Sequence, residues 1–183
     1  IRYNIPTAGT PITIDGVVVE RQSGVATDQC FWFSDATGIY DVTVSDTVCR
    51  DTDFYDIRVV ANEINLTATN NTFTSSAAYS PRSYLFTNNT WGEGSITIDG
   101  GTTEILNYDD TAVPIINIVS ADAGQTVSIR NWTANWTPST TLSTGHLDGI
   151  GVKNVADALI ENNTLEIFEG NGTVDSRMIR CYS

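Results

Sequence analysis

Short runs of alternating character, each closed by a turn residue, constrain this chain more than any other feature. In "YDVTVSDTV" (40–48), Tyr40, Val42, Val44 and Val48 face one way, with Asp41, Thr43 and Ser45 the other. Successive side chains on a strand point to opposite faces, so this period of two predicts a half-buried strand. The texture recurs in "PITIDGVVVE" (11–20), "DIRVVANEINLTAT" (56–69), "SITIDG" (95–100), "PIINIVSA" (114–121) and "TVSIRNW" (126–132). Gly, Asn, Asp and Ser bound these runs, and Thr, a strand-favouring residue, is the commonest of all (26 of 183). Only "VKNVADALIE" (152–161) carries a helical stripe, through Val152, Val155, Ala156, Leu159 and Ile160. "NTLEIF" then returns to alternation, which leaves a turn of helix and a buried strand as equal readings. The fold class is all-β.

A chain of 183 residues, 40% hydrophobic, supports one packed core rather than two, so residues 1–183 are read as a single domain. "PITIDG" (11–16) and "SITIDG" (95–100) hint at a tandem duplication, yet no linker separates two halves. No stretch approaches eighteen consecutive apolar residues, which excludes a helical membrane span. The chain begins at Ile1 without a charged-then-apolar leader, as a processed product or an excised fragment would. Acidic residues number 22 against nine basic, for a net charge of −13. Such a surface repels phosphates and argues against nucleic acid as a partner. Fifteen Asp, seven Glu and the single Lys153 fit ordinary solubility by self-repulsion, or a surface that holds cations.

Asn-x-Thr is the acceptor pattern for N-linked glycans. It occurs at Asn65, Asn70, Asn88, Asn131, Asn135, Asn162 and Asn171, whereas fifteen Asn in so Thr-rich a chain would give about two by chance. Glycans at these seven positions, and hence an extracellular or cell-surface location, are the expectation. Three cysteines fit that compartment. Cys30 and Cys49 are the obvious pair with Cys181 left over, although Cys181 bonded to either of them competes.

Three of the acceptors share the triplet Asn-Asn-Thr, each ahead of a large apolar residue: Phe73, Trp91 and Leu165. Asn tolerates the left-handed backbone of tight turns. One Asn of each pair is expected to carry sugar outward while its neighbour makes the bend, before the apolar residue re-enters the core. Here "INLTATNNTF", "SYLFTNNTW" and "DALIENNTLEI" resemble the rungs of pectin-lyase-like right-handed parallel β-helix proteins. The resemblance implies a single-domain solenoid in which turn asparagines stack from rung to rung, with Cys30 and Cys49 in neighbouring rungs. The alternative is an antiparallel β-sandwich or jelly roll with glycosylated hairpin loops.

Catalytic signals are thin. An acidic pair, Asp109–Asp110, and the single His146 look like fragments of a polygalacturonase-type hydrolase, but adjacent strand residues point to opposite faces. That family's further Asn-Thr-Asp, Gly-His-Gly and Arg-Ile-Lys segments do not occur here. The expectation is no catalytic residue, no metal ligand and no cofactor, with calcium at Asp51, Asp53 and Asp56 a weaker alternative. Trp132 and Trp136 are read as core or as shields for the chain's own sugars, ahead of a glycan-binding face.

A small acidic all-β glycoprotein without an active site is expected to build something. The predicted function is an extracellular subunit of a filament, pilus-like appendage or surface layer, with copies of itself as partners. Residues 1–20, held extended by Pro6 and Pro11, are the predicted arm that adds a strand to a neighbour. A carbohydrate-active or glycan-binding module, or an adhesin domain that meets a cell-surface glycan, are the alternatives.

Overall fold

In a computed structural model the described residues are 2–4, 11–20, 29–34, 39–51, 55–60, 63–75, 82–87, 94–108, 114–119, 124–138, 146–167 and 175–182. Among them the chain contains strands and no helix, and it winds as a parallel β-helix. A short strand, β1 (Arg2–Asn4), comes first. Six coils of three strands follow: β2 (Ile12–Asp15), β3 (Val18–Glu20) and β4 (Gln29–Ser34); β5 (Ile39–Ser45), β6 (Val48–Arg50) and β7 (Tyr55–Val60); β8 (Glu63–Thr69), β9 (Thr72–Ser75) and β10 (Arg82–Thr87). Then come β11 (Gly94–Asp99), β12 (Thr102–Tyr108) and β13 (Ile116–Val119); β14 (Gln125–Arg130), β15 (Thr133–Pro138) and β16 (His146–Lys153); β17 (Asp157–Glu161), β18 (Thr164–Ile167) and β19 (Asp175–Tyr182).

The first strands of the coils form one six-stranded sheet, the second strands another, and the third strands, with β1, a seven-stranded sheet. Every pairing is parallel, which rules out the sandwich alternative, since a sandwich needs antiparallel neighbours. Register sets the period. Ile12, Val42, Leu66, Ile96, Val127 and Ala158 lie across from one another, at steps of 30, 24, 30, 31 and 31 residues.

Alternation becomes columns. Inward positions of the first sheet stack Val42, Leu66, Ile96 and Val127 beside Ile14, Val44, Ala68, Ile98 and Ile129, all buried. Cys49, Phe73, Thr103 and Ala134 continue the core along the second sheet, and Phe31, Ile57, Ile116 and Ile150 along the third. Cys30 of the first coil is disulfide-bonded to Cys49 of the second, with Cα atoms 6.1 Å apart, and Cys181 is free and exposed.

Three local expectations change. The segment 152–161 is neither helix nor buried strand: β16 ends at Lys153, Asn154 turns at φ 53°, and β17 is an exposed strand of the last coil. The "ITIDG" repeat is no domain duplication, because its copies occupy one register in coils one and four. Val48 is half-buried while Cys49 is buried, since the turn at Asp46–Thr47 shifts the alternation by one.

Candidate functional site

The described turns between the first and second strands of the coils share one geometry. Gly16, Asp46, Asn70, Gly100, Asn131 and Asn162 occupy the same place, all left-handed, with φ of 63°, 48°, 53°, 72°, 56° and 55°. Only Gly, Asn and Asp accept that conformation cheaply, which accounts for the composition of the column. The turns also hydrogen-bond along the stack: Asp46 N donates to Thr69 O, Asn70 N to Asp99 O and Gly100 N to Arg130 O, at 2.9–3.1 Å.

The next residue points inward. Asn71 is fully buried; its Oδ1 accepts from Thr47 N (3.1 Å) and Thr47 Oγ1 (2.8 Å), and its Nδ2 donates to Val44 O (3.0 Å). Asn163 repeats this on the preceding coil, where its Oδ1 accepts from Trp132 N and its Nδ2 donates to Ile129 O. The following residue opens the second strand and faces out, giving a Thr72, Thr102, Thr133, Thr164 ladder in register. Phe73 then re-enters the core at 1% exposure. The expected division of labour within Asn-Asn-Thr is therefore corrected. Asn70 and Asn162 both make the bend and face solvent, while their neighbours are internal rivets. The third triplet, Asn88–Thr90, lies outside the described residues.

Of the seven acceptors, Asn70, Asn131 and Asn162 thus form an exposed ridge along one edge of the solenoid. Asn65 and Asn135 are half-buried on outer sheet faces. Asn65 Nδ2 donates to Asp41 Oδ1 (2.9 Å), and its Oδ1 accepts from Ser95 N and Oγ (3.1 Å each). The Oδ1 of Asn135 is buried without a hydrogen-bond partner. Asn171 lies outside the described residues.

The other sequence candidates do not converge. Asp109, Asp110 and Asp53 fall outside the described residues, and His146 is described only as the start of β16. Asp51 is exposed at φ 54° while Asp56 is 3% exposed, and no group of three or more His, Cys, Asp or Glu that could hold a metal occurs among the described residues. An open cleft of about 150 Å³ is lined by Asp51, Thr74, Ser75, Glu104 and Leu106. Trp132 and Trp136 are core residues at 0% exposure, as the sequence suggested, and Trp132 Nε1 donates to Thr103 Oγ1 (3.2 Å).

The last coil is where the column order ends. Ile179 and Cys181 continue the columns of Ile150 and Val152 by register, but Ile179 is 49% exposed where Ile150 is fully buried. Cys181, Leu159 and Met178 of the same coil are also exposed. At the opposite end Ile14 is only 4% exposed. Within the segment predicted as an extended N-terminal arm, Arg2–Asn4 pair with β4, Ile12–Asp15 with β5 and Val18–Glu20 with β6 of the same chain, and residues 5–10 lie outside the described ones.

No protein-family model, no curated protein and no solved structure matches the chain.

Proposed function

We propose that the chain is an extracellular structural glycoprotein whose copies join end to end in a surface filament, appendage or layer. The exposed sixth coil is the observation behind this reading. Among the described residues β17, β18 and β19 each end a sheet, and Ile179 of β19 is 49% exposed where its register partner Ile150 is buried. Open edges and a half-covered apolar layer are unstable in isolation and template a further coil. The occupant whose geometry fits is a second copy presenting its opposite end, where β1, β2 and β3 end the same three sheets and Ile14 lies in the inward column. The walls favour no such contact. Their outer ladders are short, polar and mutually hydrogen-bonded, as in Ser45–Asp15 and Thr102–Thr72, and the net charge of −13 opposes side-by-side association. A disulfide between coils suits an oxidising, exported setting.

Sedimentation velocity across a concentration series, paired with negative-stain imaging, tests the reading. Rods that lengthen with concentration, and their loss in Ile179→Asp, are expected. Monomers at every concentration, in material from the native source, would remove the proposal.

A second reading is a polysaccharide-binding module, favoured by the cleft that Asp51 and Glu104 line beside two hydroxyl residues. Binding of a neutral or acidic polysaccharide that disappears in Glu104→Gln would turn the assignment that way.

A further inference from the structure

We infer that, of the five acceptors among the described residues, the turn-ridge Asn70, Asn131 and Asn162 carry N-linked glycans and the face acceptors Asn65 and Asn135 stay bare. The inference rests on the glycoprotein reading above and assigns the sites within it.

Accessibility separates the two groups. The ridge asparagines are exposed and sit on left-handed turns that stand away from both flanking sheets. Asn131 Nδ2 donates one hydrogen to Asp99 Oδ1 (2.8 Å), leaving the second for a sugar. Coils are spaced by the separation of parallel strands, roughly 4.8 Å. Gly100, without a side chain, stands at the ridge position of the coil between Asn70 and Asn131, so a sugar on Asn70 has about 10 Å of clearance from the next one. Asn131 and Asn162 belong to consecutive coils, and the Asp99 bond leans Asn131 away from Asn162.

The face acceptors are held differently. Asn65 lies on β8, flanked by β5 and β11 of the six-stranded sheet, half-buried, with its amide nitrogen on Asp41 and its amide oxygen taken by Ser95. Asn135 lies in register between Glu104 and Glu166, half-buried, with its oxygen inaccessible. A sugar on either would displace neighbours about 4.8 Å away on both sides of a continuous sheet.

The fold itself explains why the ridge reads Asn-x-Thr: Asn serves the turn, and Thr belongs to the ladder even at Gly100-Gly101-Thr102, where no acceptor exists. A high count of acceptors is thus partly architectural, and exposure is what discriminates among them. Modification is a group transfer. Nδ2 bonds to the anomeric carbon of a lipid-pyrophosphate-linked sugar and loses one proton, while the pyrophosphate departs with the electrons of the broken carbon–oxygen bond.

The test is site-resolved mass spectrometry of the full chain from an N-glycosylating source, with enzymatic deglycosylation in 18O water, which turns each occupied Asn into labelled Asp. Label at Asn70, Asn131 and Asn162, with none at Asn65 and Asn135, is expected. Label on Asn65 or Asn135 at ridge levels overturns the site assignment while the glycoprotein reading survives. A chain without label anywhere sinks both. As a second measurement, Thr72→Val, Thr133→Val and Thr164→Val should each lower the intact mass by one glycan, since Val keeps the strand and leaves the turn Asn in place; unchanged mass in all three overturns the ridge.

Discussion

Trp132 donates its backbone N–H to the side-chain oxygen of Asn163, one coil further on, at 2.9 Å. The turn residue of one coil thereby satisfies the backbone of the coil before it. Asn71 and Thr47 repeat the relationship three coils earlier in the stack, at 3.1 Å. Strand ladders would otherwise be interrupted at every corner, with buried amides left unpaired. Inward asparagines carry the hydrogen bonding around the bend, so the sheets behave as one continuous stack.

Asn71 is the more demanding of the two, because it is wholly buried and makes three hydrogen bonds. Asn71→Ala strands the Thr47 N–H and the Val44 carbonyl inside the core, at about 1–3 kcal/mol for each buried group. Urea unfolding should show a loss of about 3 kcal/mol. Asn163→Ala, at the half-buried last coil, should cost less than half of that. Equal losses would contradict the ladder's dependence on burial.

Gly101 and Gly16 both have positive φ but differ in surroundings. A Cβ at Gly101 (φ 104°) would collide with the backbone oxygen of Asn71, whereas at Gly16 (φ 63°) nothing lies within 4 Å. Gly101 also faces inward in the column that Trp132 occupies on the next coil, and the indole reaches back over it to Thr103. Gly16→Ala should cost about 1 kcal/mol, the strain of a left-handed alanine. Gly101→Ala should cost about 3 kcal/mol or more, by thermal melts of both variants side by side.

Much of this architecture was legible from residues alone, and the misses have physical causes. Period-two runs and the Asn-Asn-Thr-apolar pattern pointed to a parallel solenoid and to Cys30–Cys49 in adjacent coils, as found. Gly100 does the work of an asparagine in coil four and leaves no Asn to read, which breaks the turn signal between Asn70 and Asn131. Connections of different length after the second and third strands vary the period between 24 and 31 residues, which hides the repeat. "VKNVADALIE" misled because an αL turn at Asn154 falls inside an apparently helical stripe. The ridge itself was invisible as a ridge: three acceptors dispersed over 92 residues align only after winding.

Cys30 and Cys49 close a loop across a sequence separation of 19 and fasten the first coil to the second. Loop-closure entropy for that span gives about 3 kcal/mol. The double variant Cys30→Ala, Cys49→Ala should lose that amount. Hydrogen exchange should then speed up first in β2 and β3, an end coil that has one neighbouring coil instead of two, and last in β8 and β11. Uniform acceleration across all coils would mean that the disulfide stabilises the stack as a whole rather than its first turn.

Salt dependence follows from the charge imbalance. Twenty-two acidic residues face nine basic ones, and the ion pairs Arg50–Glu20 (2.6 Å) and Arg130–Asp99 (3.0 Å) involve side chains that are a third or more exposed. Exposed pairs contribute only about 0–1 kcal/mol each, so screening them costs little. Screening the remaining negative charge gains more, since stacking places outward carboxylates such as Glu104 and Glu166, two coils apart on either side of Asn135, within one Debye length, about 10 Å at 0.1 M. Raising potassium chloride from 20 mM to 0.5 M should therefore lift the melting temperature, by roughly 5 °C if the relief is about 2 kcal/mol. A melting temperature that falls with salt would show that the ion pairs outweigh the repulsion.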